Sequence, residues 1–143
     1  MHLDSRAVTA VLNRSGGELA RRHDALWQAV WQQPYVPARV LELCRLRLAQ
    51  LHGATCELRA QPPSGVRVNP EAAVSSAEHA ALEFAEVYGQ DPEAITDQLA
   101  AAVKAHFGEV GLVALIEALG VIDGRIRLGM MLGPLLATES ADG

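Results

Sequence analysis

An all-α fold is expected for this chain. No segment of its 143 residues sustains an apolar/polar alternation of period two, half of the residues are hydrophobic with many alanines and leucines, and helix caps and stops recur along it. Asp4 is placed to cap a first helix through about Leu12, and Asn13-Arg14-Ser15-Gly16-Gly17 reads as a turn. A second helix is expected from Glu18 to Gln32, with Leu19, Leu26, Ala29 and Val30 on one face and Trp27 and Trp31 stacked at i, i+4. Pro34 ends it. Pro37 suits the first turn of the next helix, which runs to His52 and stops at Gly53. Its apolar set Val40, Leu41, Leu43, Cys44, Leu46, Leu48 and Leu51 covers most of the circumference, as in a central helix.

A short helix, about Ala54–Ala60, precedes the irregular stretch Gln61–Val74, which holds Pro62, Pro63, Gly65 and Pro70. Ser75-Ser76-Ala77-Glu78 is a capping box for a helix to about Tyr88, whose core face carries Ala77, Ala81, Phe84, Ala85 and Tyr88. Gly89-Gln90-Asp91-Pro92 is a turn. Thr96 or Asp97 caps a helix ending at Phe107-Gly108, and a last helical region from Glu109 to about Leu132 is expected to bend near Gly120 or Gly124. The organisation reads as an N-terminal helix and turn (1–17), a helical domain (18–137) and a disordered tail (138–143).

The length suits one domain that needs no metal or disulfide to bury its core. A net charge of −5 argues against a nucleic-acid partner, which needs concentrated basic surface. The basic cluster Arg39, Arg45 and Arg47 is interleaved with Glu42 and reads as an internal ion-pair set. No basic start followed by an apolar core is present, so no signal peptide is expected, and two cysteines in a large core suggest a reducing, cytoplasmic location. Val110–Leu136 is the strongest membrane candidate. It contains Glu117, Asp123, Arg125 and Arg127, so it reads as a buried or interface helix pair rather than a membrane span.

Residues 42–57 read Glu-Leu-Cys-Arg-Leu-Arg-Leu-Ala-Gln-Leu-His-Gly-Ala-Thr-Cys-Glu. This segment resembles the signature of the carboxymuconolactone decarboxylase and alkylhydroperoxidase D-like (AhpD-like) superfamily, Glu-x-x-Arg-x-Arg-x-Ala-x-x-Asn/His-Gly-Cys-x-x-Cys-x-x-x-His. Aligned without a gap, the two redox cysteines fall on Ala54 and Glu57, and the last His falls on Gln61. The resemblance continues through Ser76-Ala-Glu-His-Ala-Ala-Leu-Glu-Phe-Ala-Glu, through Thr96-Asp97 with Val103-Lys-Ala-His-Phe-Gly, and through Val121-Ile-Asp-Gly-Arg-Ile-Arg-Leu, covering roughly residues 20–132. It implies an AhpD-like bundle that assembles as a homo-oligomer (trimer, dimer or hexamer), with a site near a subunit interface and a small organic acid or a hydroperoxide as ligand. Peroxidases of the family use the cysteine pair with a Glu and His relay. Its decarboxylases act on a lactone acid without redox chemistry.

Four residues are candidates for chemistry. Glu42 stands at the relay glutamate position and reads either as a general acid or base or as a structural partner of Arg45 or Arg39. His52 precedes Gly53 and reads as a substrate contact or as a cation favoured by the helix C-terminus. Cys56 is the thiol near the signature. A helix N-terminus and Arg59 could lower its pKa, and an inert buried thiol is the alternative. Glu57 could join Glu42 as a carboxylate pair lining a pocket, or lie on the surface of a short helix.

A metal site from His52, Cys56, Glu57 and His79 lacks diagnostic spacing, and no phosphate loop, Ser/His/Asp set or nucleotide fingerprint is present. No metal or cofactor is therefore expected. Three functions remain open: acid/base chemistry of the decarboxylase or isomerase type or binding at Glu42, a residual one-cysteine peroxidase at Cys56, and a non-catalytic oligomeric interaction protein.

Overall fold

The computed structural model describes residues 1–136 in full and continues the helical backbone to Asp142; the tail expected at 138–143 lies outside the fully described residues. The order is α1 (Ser5–Ser15), α2 (Gly17–Gln32), α3 (Ala38–His52), α4 (Thr55–Arg59), α5 (Ser76–Gln90), a single 3-10 turn (Pro92–Ala94) and α6 (Asp97–Asp142). The described residues contain no strand, so the all-α class holds.

The local signals act where the sequence places them. The Asp4 carboxylate accepts from the Ala7 N–H and starts α1. Ser75 Oγ accepts from the Glu78 N–H while the Glu78 carboxylate takes the Ser75 N–H, closing the capping box of α5. Thr96 Oγ1, rather than Asp97, accepts the Leu99 N–H and caps α6. Gly53 (φ 66°, ψ 26°) ends α3 in the left-handed conformation.

α3 is central as expected. Leu41, Cys44, Leu48 and Ala49 are fully enclosed and meet Ala81, Phe84 and Ala85 of α5 and Leu115, Leu119 and Ile122 of α6. Trp27 and Val30 of α2 join the same core, and Trp27 lies edge-on to Trp31 at 5.5 Å and 79°.

Three expectations need correction. The core face of α2 is Ala20, Trp27 and Val30; Leu19 is 81% exposed, and Leu26 and Ala29 also face outward. The α2 stripe follows the two tryptophans, because their area outweighs that of a leucine. α6 does not leave helical geometry at Gly120 or Gly124. Its one break is Gly108 (φ 75°, ψ 176°), a backbone region open only to glycine, so the predicted Phe107-Gly108 terminus is a kink between two helical arms.

The third correction concerns Val110–Leu136, expected as a helix pair: it is one continuous helix, and the N-terminal segment lies on it. Leu3 N–H donates to the Gly129 carbonyl at 2.9 Å, and methyl groups at Gly129 and Gly133 would collide with the carbonyl oxygens of Leu3 and Met1. Two of the glycines thus seat the N-terminal segment of the same chain. The long helix is also less buried than expected. Over 97–136 it is long and apolar enough to cross a membrane, its most apolar stretch has a mean hydropathy of 1.7, and only 28% of that stretch is buried. Val110, Val113 and Ile116 are exposed on it, beside Leu26 of α2 and Tyr35.

Candidate functional site

The sequence-predicted residues Glu42 and Glu57 converge on one guanidinium. α3 puts Glu42 and Arg45 one turn apart, and the stop at Gly53 turns α4 back so that Glu57 reaches the same arginine. Arg45 Nε donates to Glu42 Oε1 at 2.6 Å and Nη2 donates to Oε2 at 2.7 Å, a two-point contact. Arg45 Nη1 donates to the Glu57 carboxylate at 2.7 Å and to the Glu57 carbonyl at 2.9 Å. All three side chains are nearly sealed, with Arg45 at 1% exposure and each glutamate at 2%. Burial would lower the Arg45 pKa, but the hydrogen bond and charge of Glu42, with those of Glu57, raise it above its ordinary value.

This geometry changes two expectations. Glu57 is buried rather than on the surface of its short helix. The two glutamates do not form a proton-sharing carboxylate pair, because a cation stands between them. The structural partner of Glu42 is Arg45. Arg39 instead pairs with Glu78 at 2.6 Å and Arg47 with Glu86 at 3.0 Å, so each arginine of the basic cluster engages carboxylates of its own.

The network extends to residues that the sequence did not single out. Glu57 also accepts the Ser5 N–H at 2.7 Å and the Ser5 hydroxyl, which ties the start of α1 to α4. The Ser5 carbonyl accepts from Arg125 Nη2 at 2.9 Å, and the same nitrogen reaches Thr9 Oγ1. Arg125 is 1% exposed and lies 4.6 Å from the centre of the Trp27 ring. Among the described residues its Nε and Nη1 have no hydrogen-bond acceptor, and Asp24 Oδ1 is 4.0 Å from Nη1. Burial lowers the Arg125 pKa, and burial with the charge of Arg125 lowers that of His23. One sequence signal pointed here: Arg125 sits between Ile122 and Ile126 on an apolar helix, where a cation needs partners.

His52 is not part of this network. Its Nε2–H donates to Asp123 Oδ1 at 2.6 Å, and Asp123 Oδ2 accepts from Arg127 Nε at 2.8 Å, an i, i+4 pair on α6. His79 is 3.3 Å from Glu83, so three of the four residues weighed as a metal set, His52, Glu57 and His79, are drawn to different partners. Both thiols are shifted away from the thiolate. Burial pushes Cys44 up to about 12, and burial with the charge of Glu57 raises Cys56, opposite to the lowering expected from Arg59. Both cysteines are free.

Two cavities flank α4. One, of about 430 Å³, is bordered by Glu42, Arg45, Gln50, Leu58, Arg59 and Arg67. The other, of about 390 Å³, lies across Arg59 against α1 and α2. No family model matches the chain, and comparison with curated proteins and with solved structures gave no significant match.

Proposed function

We propose that this chain is a divergent carboxymuconolactone decarboxylase/AhpD-like protein, cytoplasmic and homo-oligomeric, that binds a small organic acid beside Glu42 and uses no dithiol peroxidase chemistry. The observation that carries the reading is the cavity of about 430 Å³ whose wall includes the Glu42–Arg45 pair, a volume within the range of small-molecule sites. Arg59 and Arg67 border it and offer two guanidiniums to a ligand carboxylate. In a decarboxylase- or isomerase-like step Glu42 would be the proton carrier, as its place on the cavity wall allows. The raised thiols support the exclusion of peroxidase chemistry, which needs a thiolate.

A second reading, a non-catalytic oligomeric interaction protein, is favoured by one observation: both Glu42 oxygens are already occupied by Arg45. In both readings the apolar face formed by Leu26, Tyr35, Val110 and Val113 is the surface offered to another copy.

The test has two parts. Peroxide consumption with a thiol reductant is measured for wild type beside Cys56→Ser, and no turnover is expected from either. Thermal stability is then followed with succinate and related small acids. A rise that is lost in Arg67→Gln supports the site, whereas turnover that depends on Cys56 would replace it with the one-cysteine peroxidase. A stability unmoved by any of the acids would favour the non-catalytic reading.

A further inference from the structure

The cavity of about 390 Å³ on the far side of Arg59 has a different chemistry from the one beside Glu42. Both tryptophans of the chain, Trp27 and Trp31, border it, held edge to face. The indole N–H of Trp31 is buried and has no acceptor among the described residues. Ser5 and Thr9 form part of the wall, and behind them stands Arg125, held by that same serine carbonyl and threonine hydroxyl. Two further guanidiniums, Arg6 and Arg59, border the cavity, and both side chains are exposed.

No ion pair engages Arg6 or Arg59 among the described residues. Asp4 is the acidic residue on the lining, and its carboxylate already accepts the Ala7 N–H at the start of α1. Two uncommitted cations, an unused donor and an aromatic wall therefore meet in one concavity. An aromatic ring suits the indoles through offset or edge contacts, and a carboxylate suits the guanidiniums through two-point hydrogen bonding.

We propose that this second cavity binds a small aromatic carboxylate, whose carboxylate lies on Arg6 and Arg59 and whose ring packs against Trp27 and Trp31. The site is independent of the one beside Glu42 except at Arg59, which borders both cavities. Arg6 belongs to this cavity alone and Arg67 to the other alone, so the two sites can be separated by mutation.

The experiment titrates the full chain with benzoate, reading selectively excited tryptophan fluorescence together with calorimetry. Both fluorophores line the proposed site, so occupancy is read directly. A saturable change is expected, with affinity weakened about threefold in Arg6→Gln alone and about tenfold in Arg6→Gln/Arg59→Gln, the loss of two charge-assisted contacts at an exposed rim. Arg67→Gln should bind as wild type does. Benzyl alcohol, which keeps the ring and lacks the charge, should bind far more weakly. No saturable change, equal binding of benzyl alcohol, or weakening by Arg67→Gln but not by Arg6→Gln would overturn the proposal. The last of these would place benzoate beside Glu42 instead.

Discussion

Replacing Arg45 with methionine keeps most of the side-chain stem and removes the guanidinium. Four hydrogen bonds go with it, two to Glu42 and two to Glu57. What remains is two carboxylates, each 2% exposed, with no cation between them. Glu57 keeps the Ser5 N–H and hydroxyl, but Glu42 keeps no hydrogen bond among the described residues. Stranding one partner of a buried ion pair costs about 3–5 kcal/mol. That is a large share of the roughly 5–15 kcal/mol that holds a domain together.

Arg39→Met is the control. It breaks one pair with Glu78, and the Arg39 side chain is 44% exposed, so the loss should stay below about 1 kcal/mol. Urea unfolding followed by circular dichroism gives both values, and with a slope of about 1–3 kcal/mol/M the Arg45 variant should lose about 2 M in midpoint. If Arg45→Met unfolds within about 1 kcal/mol of wild type, or no earlier than Arg39→Met, the buried triad does not hold the fold and the reasoning fails.

Other outcomes follow from the same geometry. Cys56 should react with iodoacetamide at neutral pH no faster than an ordinary free thiol, and Cys44 only after unfolding; mass spectrometry of timed samples would show otherwise if a thiolate were present. Gly129→Ala should cost about 1–3 kcal/mol by pushing Leu3 off α6, seen as faster hydrogen exchange at the first residues.

Glu78 links helix capping to pH. Backbone hydrogen bonding at Ser75 depresses its pKa, aided by Arg39, so its contribution is present above the ordinary carboxylate value and fades as pH falls through the lowered one. Glu78→Ala should therefore destabilise by about 1 kcal/mol at neutral pH and by less in acid, measured by paired denaturation curves.

Much of the helix layout was legible because its signals are local. Asp4, Ser75 with Glu78, Thr96 and Gly53 each act within a turn of their own position, and α3 declared its central place by apolar residues on nearly every side. What the sequence hid depends on separation. Glu42 and Arg45 are neighbours on one helix and were read as a pair, but Glu57 joins them only because the chain reverses at Gly53. Arg125 reaches Ser5 across 120 positions, which no helical periodicity encodes. The face of α2 misled for a related reason. Leu19 and Leu26 fit an apolar stripe as well as Trp27 and Val30 do, and only the packed partners decide between the two.

The reach of Arg125 has a consequence for how the protein is made. Ser5 is joined to Glu57 and, through its carbonyl, to Arg125, so the first helix of the chain has no complete set of partners until the sixth has been synthesised. A nascent chain leaves the ribosome with its beginning first and gains its long-range contacts last. During translation Glu42, Arg45 and Glu57 can meet early, while Ser5 and the segment that lies on Gly129 wait for an arginine and a groove not yet made. Assembly therefore closes at its two ends together, and a chain interrupted before residue 125 would carry a tethered but unanchored first helix.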